Sequence, residues 1–147
     1  MPEPSLPALA ESIARRAHEG QFDKAGVDYI THPARVAASV GEHGGSDETV
    51  AAAWLHDVLE DCEVTPSDLL SAGIPQSVID AVDSVTKRNG ERIEDYCVRV
   101  RANPIGLMVK YADLADNTSP ERTALLDDTV RTRLAEKYAY VRSLLAS

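Results

Sequence analysis

The chain has 147 residues, a formal net charge of −9 and a hydrophobic content of 44%. This length is enough for one domain with a buried core, and the acidic charge argues against non-specific binding to nucleic acid or to an anionic membrane. The aromatic share is only 5%, and the abundance of alanine, leucine and valine favours helices over strands.

Hydrophobic periodicity and turn residues predict an all-α bundle with roughly seven to nine helices. In chain order the predicted helices are 5–19, 31–45, 46–62, 65–73, 75–90, 91–103, 104–117, 119–126 and 127–146. Thr31 and Ser46 are the predicted N-caps of the second and third helices. The stretch 20–30 lacks a helical period and is predicted to be a loop with a short extended piece at its end. We expect residues 1–147 to form a single domain, with 1–5 frayed.

The third predicted helix carries titratable groups inside an apolar stretch. They are His56, Asp57, Glu60 and Asp61. Residues four apart lie one turn apart, so one edge of the helix presents an imidazole and three carboxylates. Crowded like charges beside a core are costly, and a bound cation would remove that cost. The alternative is a solvated polar face on an amphipathic helix.

Two further residues have the same ambiguity. Asp113 borders the apolar side of helix 104–117, where an unpaired carboxylate is costly, although Lys110 is a possible salt-bridge partner three residues earlier. His32 lies in the first turn of its helix, where the helix dipole disfavours imidazolium and leaves the neutral ring that a metal needs. A capping or surface role is the alternative for His32.

Together these residues make a mixed nitrogen–oxygen ligand set on three predicted helices: His32, His56, Asp57 and Asp113. Such a set suits a borderline divalent ion such as Mn²⁺, Fe²⁺ or Zn²⁺, and helical bundles commonly build metal sites this way. Because no further ligands are evident, we expect one ion. His18 is expected to be structural or to support the ligands, and His43 to lie at a solvated helix end.

The pattern resembles the HD-domain metal-dependent phosphohydrolases, in particular the RelA/SpoT-type hydrolase domain and the small alarmone hydrolases. The matching segments cover about two thirds of the chain in order: 17–37, 52–62, 65–75, 81–91 and 109–117. A lone His-Asp pair is a weak signal. A His, then His-Asp followed by Glu-Asp, then Asp with Asn four residues later, is a specific one.

This resemblance implies an HD-domain helical bundle in which the four residues above bind the metal. It also implies that Glu60 and Asp61 lie beside the attacking water and the scissile phosphate. It also implies that Lys24 and Asn117 hold substrate phosphate or sugar. Known members act with Mn²⁺ on guanosine tetra- or pentaphosphate, (p)ppGpp, and remove the 3′-pyrophosphate. Some relatives instead take the 2′-phosphate from NADPH or hydrolyse adenosine alarmones.

The chain departs from the family pattern at places that concern the substrate. Asp23 stands where an arginine is usual, which should weaken the grip on a pyrophosphate. The segment after Asn117 lacks the usual arginines, although Arg122 is near enough in sequence to supply a charge. We therefore expect Arg122 to bind the substrate and, with Lys24, to stabilise charge on the departing group. Lys87 and Arg88 are further candidates for stabilising the leaving group, with a solvated turn as the alternative.

The sequence therefore predicts a stand-alone (p)ppGpp 3′-pyrophosphohydrolase of the stringent response. In this mechanism Glu60 orients or deprotonates the water, and Asp61 is its partner or the proton donor to the leaving oxygen. The alternatives are another HD phosphohydrolase, acting on a nucleotide, NADPH or adenosine alarmones, and a non-catalytic module that senses a nucleotide.

The expected partner is a small phosphorylated nucleotide, with no role for nucleic acid or a membrane. Cys62 and Cys97 are the two cysteines. They have no zinc-site spacing and no secretory segment accompanies them, which predicts free thiols in the cytoplasm.

Overall fold

The computed structural model describes residues 3–147, which form ten helical segments. They are α1 Leu6–Ala17, α2 Thr31–Glu42, α3 Asp47–Leu55, α4 Val58–Asp61, α5 Pro66–Ser71, α6 Gln76–Ser84, α7 Ile93–Arg101, α8 Pro104–Asn117, α9 Pro120–Thr123 and α10 Asp128–Leu145. Only two residues separate α3 from α4, and with these two segments counted as one interrupted helix the described part of the chain has nine helices. The predicted all-α bundle is confirmed. Of the segment 1–5 that was expected to fray, residues 1 and 2 lie outside the described range.

The two predicted N-caps have different outcomes. Ser46 caps α3 by accepting a hydrogen bond from Thr49 N at 3.2 Å, as predicted. The prediction for Thr31 is wrong, because Ile30 is the N-cap of α2 and its side chain makes no capping bond. The backbone amides of Thr31 and His32 already donate to the carbonyls of Asp28 and Tyr29, so the start of α2 needs no side-chain cap.

Helix α3 lies at the centre of the larger hydrophobic core. Its last five residues, from Ala51 to Leu55, are all buried, and a helix that is apolar on every side must be surrounded by others. Helices α1, α2, α6 and α8 pack around it. The residue that follows Leu55 is therefore held in the interior, which places His56 at the base of a site rather than on the surface.

A second, smaller core joins α7 and α10 to α8. Its buried side chains include Tyr96, Val100 and Val141. Helix α8 contributes Val109 to the first core and Leu114 to the second. The residues of α8 between these two positions therefore lie where both cores meet.

The loop between α1 and α2 folds back on itself. Phe22 and Asp28 form an isolated antiparallel bridge, which is less extended structure than the strand-like piece predicted at the end of the loop. The turn between them uses Gly26 at φ +82°, a conformation that glycine adopts without steric cost. No helix within residues 3–147 combines the length and the apolar character needed to cross a membrane.

Candidate metal centre and adjoining cavities

The predicted ligand set converges in the structure. His32 from α2, His56 and Asp57 from the α3–α4 junction, and Asp113 from α8 each offer one donor atom, and these atoms all lie within 4.8 Å of one another. His32 Nε2 is 2.7 Å and His56 Nε2 is 3.2 Å from Asp113 Oδ1. Ligands bonded at about 2.0–2.2 Å to one ion lie roughly 3 Å apart, so the set fits a single divalent cation.

The break between α3 and α4 makes this convergence possible. Consecutive side chains on a straight helix diverge by about 100°, so an uninterrupted helix cannot aim both His56 and Asp57 at one point. Here α3 ends at Leu55 and α4 begins at Val58. His56 Nε2 consequently lies only 3.1 Å from Asp57 Oδ2. The single helix predicted over 46–62 is wrong at this junction.

Hydrogen bonds on the far side of each imidazole orient the two rings. His56 Nδ1 lies 2.7 Å from the carbonyl oxygen of Ala53, and His32 Nδ1 lies 2.6 Å from Asp116 Oδ2. Arg122 Nη1 also lies 3.0 Å from His32 Nδ1, but the shortest contact of each Nδ1 is with an acceptor. These contacts favour a proton on Nδ1 and leave the lone pair of Nε2 directed into the cluster. This is the usual outer arrangement of histidines that bind metals.

Asp113 is at once a partner of Lys110 and a member of the cluster. Lys110 Nζ donates to its Oδ2 at 3.1 Å, while Oδ1 faces the two imidazoles. Burial by itself raises the pKa of Asp113, but Lys110, His32 and His56 outweigh it and hold the pKa well below its usual value. The carboxylate is therefore ionised, as a metal ligand must be. The salt bridge considered as an alternative exists, and it leaves Oδ1 facing the cluster.

The predicted catalytic carboxylates lie at the solvent edge of the cluster. Glu60 Oε1 accepts a hydrogen bond from the backbone amide of Lys87 at 2.8 Å. The pKa of Glu60 and that of Asp61 are both raised, mainly by partial burial and further by the neighbouring Asp57. A raised carboxyl pKa makes each group a better proton acceptor, which suits general acid–base work.

The predicted substrate contacts have different surroundings. Lys24 is exposed at the rim of a cavity. Asn117 donates to Asp113 Oδ1 at 3.2 Å and accepts from Arg122 Nη1 at 2.6 Å. Arg122 also lies against His32, so its guanidinium belongs to the outer surroundings of the cluster.

Two cavities lie near the cluster and share Tyr29, Asn117 and Tyr138 in their walls. The larger has a volume of about 650 Å³ and lies between the loop 20–30, α8, α9 and α10. The smaller has a volume of about 200 Å³ and opens directly onto the cluster, with lysines in its wall: Lys87, Lys110 and Lys137. Of the two candidate cations after α6, Lys87 lines this cavity, whereas Arg88 pairs with Asp83 at 3.5 Å.

Three residues of the site were not singled out from the sequence. Tyr29 donates to Asp57 Oδ2 at 2.6 Å, Asp116 orients His32, and Tyr138 from α10 lines both cavities. Asp116 follows Asp113 by three residues, and this helical spacing was a usable signal. No local pattern marks Tyr29 or Tyr138, because their roles depend on contacts between distant segments.

The remaining histidines lie outside the cluster. His18 is buried, with Nδ1 2.8 Å from Gln21 Oε1 and 3.4 Å from Cys62 Sγ. His43 caps the end of α2, where its Nδ1 lies 2.7 Å from the carbonyl oxygen of Ser39. Neither ring adds a ligand to the set of four.

Comparison with known proteins identifies relatives of this arrangement. The chain is 39% identical to a guanosine-3′,5′-bis(diphosphate) 3′-pyrophosphohydrolase of Vibrio cholerae, over 98% of this chain and 22% of that protein. It is 37% identical to a protein of the same name from Haemophilus influenzae, over 85% of this chain and 20% of that one. The chain thus spans about a fifth of the length of these curated relatives.

A solved structure shares the fold. It is described as a metazoan ortholog of SpoT that hydrolyzes ppGpp and plays a role in starvation responses, and it superposes with a TM-score of 0.80 over 99% of this chain and 88% of that one. The sequence identity is 19%. The sequence pattern of the HD domain family matches residues 10–103, which include three of the four clustered ligands. The chain has a His/Asp group suited to a divalent metal. It belongs to the HD domain family.

Proposed function

We propose that this chain is a metal-dependent phosphohydrolase that removes the 3′-pyrophosphate from (p)ppGpp. One observation carries the proposal: two imidazoles and two carboxylates converge beside a small cavity lined by lysines. The names of the relatives from Vibrio cholerae and Haemophilus influenzae support the choice of substrate. A small phosphorylated nucleotide is thus the proposed partner.

The proposed cofactor is one Mn²⁺ ion, with Fe²⁺ or Zn²⁺ as alternatives that the same donor set accommodates. His32, His56, Asp57 and Asp113 would hold it. When bound, a divalent cation supplies a Lewis acid for the phosphoryl group and makes water a better nucleophile near neutral pH. The protein contributes fixed imidazole orientations and an ionised Asp113.

Glu60 is our candidate for the group that orients and deprotonates the attacking water. The Lys87 amide holds one of its oxygens, which leaves the other oxygen available to accept a proton. Asp61 lies one residue further along α4 and would act as its partner or as the proton donor to the leaving oxygen. Tyr29 holds Asp57 in place through its hydroxyl group.

The lysines of the smaller cavity would neutralise charge on the departing phosphates. Lys110 is already engaged by Asp113. Lys87 and Lys137 make no ion pair within the described residues, so they are free to contact an anion. Lys24 and Asn117 are the proposed contacts to the rest of the substrate, and Arg122 forms part of the wall of the larger cavity.

A second candidate is hydrolysis of a phosphomonoester of a nucleotide or NADPH, or of an adenosine alarmone, at the same centre. The ion pair between Asp23 and Arg122 supports this second candidate. Because Arg122 is paired, the larger cavity has one fewer free cation for binding a polyphosphate. Inorganic pyrophosphate released from the guanosine compounds supports the leading proposal. Orthophosphate supports the phosphomonoester reaction, and pyrophosphate from the adenosine compounds alone supports an adenosine alarmone.

The test is a product assay of purified protein loaded with Mn²⁺, with guanosine alarmones, adenosine alarmones and NADPH as substrates. We expect pyrophosphate from the guanosine compounds, and no turnover by the Asp57→Ala variant. Tight nucleotide binding with no product after long incubation would refute the hydrolase proposal and indicate a sensing module.

We also propose a cytoplasmic location. Both cysteines are free thiols, Cys97 buried and Cys62 partly buried, which is usual in a reducing compartment. Cell fractionation, with alkylation of the free thiols before lysis, tests this assignment.

A further inference from the structure

The larger cavity is poorly suited to a polyphosphate. Its lining carries four carboxylates against three cationic side chains. The carboxylates are Asp23, Asp61, Asp116 and Glu121, and the cations are Lys24, Arg35 and Arg122. A second phosphate chain that entered this cavity would meet net negative charge.

Both arginines of this cavity are already engaged by carboxylates. Arg35 Nε donates to Asp116 Oδ1 at 2.7 Å, and its Nη2 donates to Oδ2 at 3.2 Å. Arg122 donates to Asp116 Oδ2 at 3.2 Å and lies 3.4 Å from Asp23 Oδ2. An arginine in such a pair offers little charge to a ligand, since the carboxylate has already neutralised it.

Asp23 is held in position to do this by its own loop. Its Oδ1 accepts hydrogen bonds from the amides of Ala25 at 2.9 Å and Val27 at 3.0 Å. The other oxygen, Oδ2, faces Arg122 across 99 residues of sequence. The carboxylate is therefore a fixed counter-charge that the loop presents to α9.

The rest of the larger cavity suits an uncharged group. Phe22 and Leu125 line it and are 60% and 61% exposed, respectively. Large apolar side chains beside a concave surface commonly contact the apolar part of a ligand. The smaller cavity balances three lysines against three carboxylates, and a divalent cation at the cluster would make it net positive.

We propose that Asp23 is a specificity-determining residue, which neutralises Arg122 and keeps the larger cavity from binding a second phosphate chain. The number of 5′-phosphates on the substrate should therefore have little effect on turnover by the wild-type protein. This inference rests on the proposed function and extends it to the part of the substrate that does not react.

The decisive variant is Asp23→Asn. Asparagine is isosteric and its side-chain oxygen still accepts the loop hydrogen bonds, so the variant removes the charge and keeps the turn. Asp28→Asn is the matched control, since Asp28 lies on the same loop but does not line either cavity. Asp23→Ser is a second variant that removes the charge. Unfolding temperatures of all variants show whether a changed activity comes from loss of the charge or from loss of the fold.

The measurement is kcat/KM for guanosine 3′-diphosphates that bear a 5′-mono-, di- or triphosphate. The kcat/KM values of the wild-type protein for the three substrates should agree within about threefold. A solvent-screened ion pair changes a rate or an affinity by no more than about this factor. Asp23→Asn should favour the 5′-triphosphate over the 5′-monophosphate by about tenfold, because Arg122 becomes available for a charged hydrogen bond. The double variant Asp23→Asn/Arg122→Gln should lose this preference.

A binding titration separates this inference from the proposed function. The Kd values of guanosine 5′-monophosphate and 5′-triphosphate should be similar for the wild-type protein and diverge about tenfold in Asp23→Asn. If the wild-type protein hydrolyses none of the three substrates, the proposed function fails and this titration still decides the role of Asp23. If Asp23→Asn discriminates no better than the wild-type protein and Asp28→Asn, our assignment of Asp23 is wrong.

Discussion

At the scale of single residues, the role of each side chain in the site depends on which of its atoms already have hydrogen-bond partners. Both imidazoles of the cluster use Nδ1 for an acceptor outside it and direct Nε2 inward. Glu60 has one oxygen on a backbone amide, and Arg122 has its donors on protein partners. Residues of the same type therefore have different roles, because different atoms of their side chains remain free to bind a metal or a substrate.

Replacing Asp116 by Asn should weaken Mn²⁺ binding. Asp116 fixes the orientation of His32, and burial, which raises its pKa, is outweighed by His32 and Arg35, so that its pKa falls to about 2. Loss of such an outer partner typically costs about 10–100-fold in metal affinity. Calorimetric titration with Mn²⁺ measures the change, and Asp80→Asn on the exposed side of α6 is the control. Equal affinity in the two variants would contradict the role given to Asp116.

Replacing Glu60 by Gln should leave the metal in place and remove most of the activity. Loss of a general base lowers kcat by about 10²–10⁴-fold, and Glu60 is not among the four clustered ligands. Metal content by elemental analysis and kcat should be measured together. Glu63→Gln, on an exposed residue beyond α4, should behave as the wild type. A normal kcat in Glu60→Gln would rule out its assigned role.

At the scale of elements, close packing of α8 on α6 sets the position of Asp113. Gly106 in α8 lies so near α6 that an added Cβ would overlap Ser84 Oγ. Gly106→Ala should therefore destabilise the protein by about 1–3 kcal/mol, although alanine is the better helix former. Urea unfolding measures this change.

The matched test of that contact is the double variant Gly106→Ala/Ser84→Ala. Removing the hydroxyl group removes the overlap, so that the alanine at 106 should stabilise the Ser84→Ala background by about 0.5–1 kcal/mol. If Gly106→Ala destabilises both backgrounds equally, the contact with Ser84 does not limit the approach of the two helices.

The segment that carries Lys87 is fastened to α7 by Glu91 and Arg99, whose side chains lie 2.7 Å apart. Hydrogen bonds from Arg99 lower the pKa of Glu91 from 4.5 to about 2. The ion pair should therefore stabilise the fold fully above about pH 4.5, and this contribution should be lost as the pH falls toward 2. Unfolding free energies of the wild type and Glu91→Gln should converge over that interval, and a constant difference would contradict the pairing.

At the scale of the whole molecule, residue types and spacing were enough to predict the order of the helices and the four residues whose donor atoms cluster. The helix order follows from periodicity and turn residues, which are local signals. These four candidate ligands could be found because titratable groups inside apolar stretches are costly without a partner. His32, His56 and Asp113 are all nearly fully buried, as that reasoning requires.

The features of the site that could not be predicted from the sequence all depend on contacts between distant segments. The break after Leu55 serves to aim two adjacent side chains at one point, which a periodic pattern does not encode. Asp23 and Arg122 are 99 residues apart, so their pairing has no local signal. Tyr138 reaches the site because α10 packs on α7 and α8. Tertiary packing therefore determines how the substrate cavities are charged.

We propose that three separate parts of the chain hold one divalent ion, and anomalous diffraction from crystals grown with Mn²⁺ would show it. We predict a single strong manganese peak within bonding distance of His32, His56, Asp57 and Asp113. A peak at another position, or these four side chains turned away from one another around no peak, would contradict it.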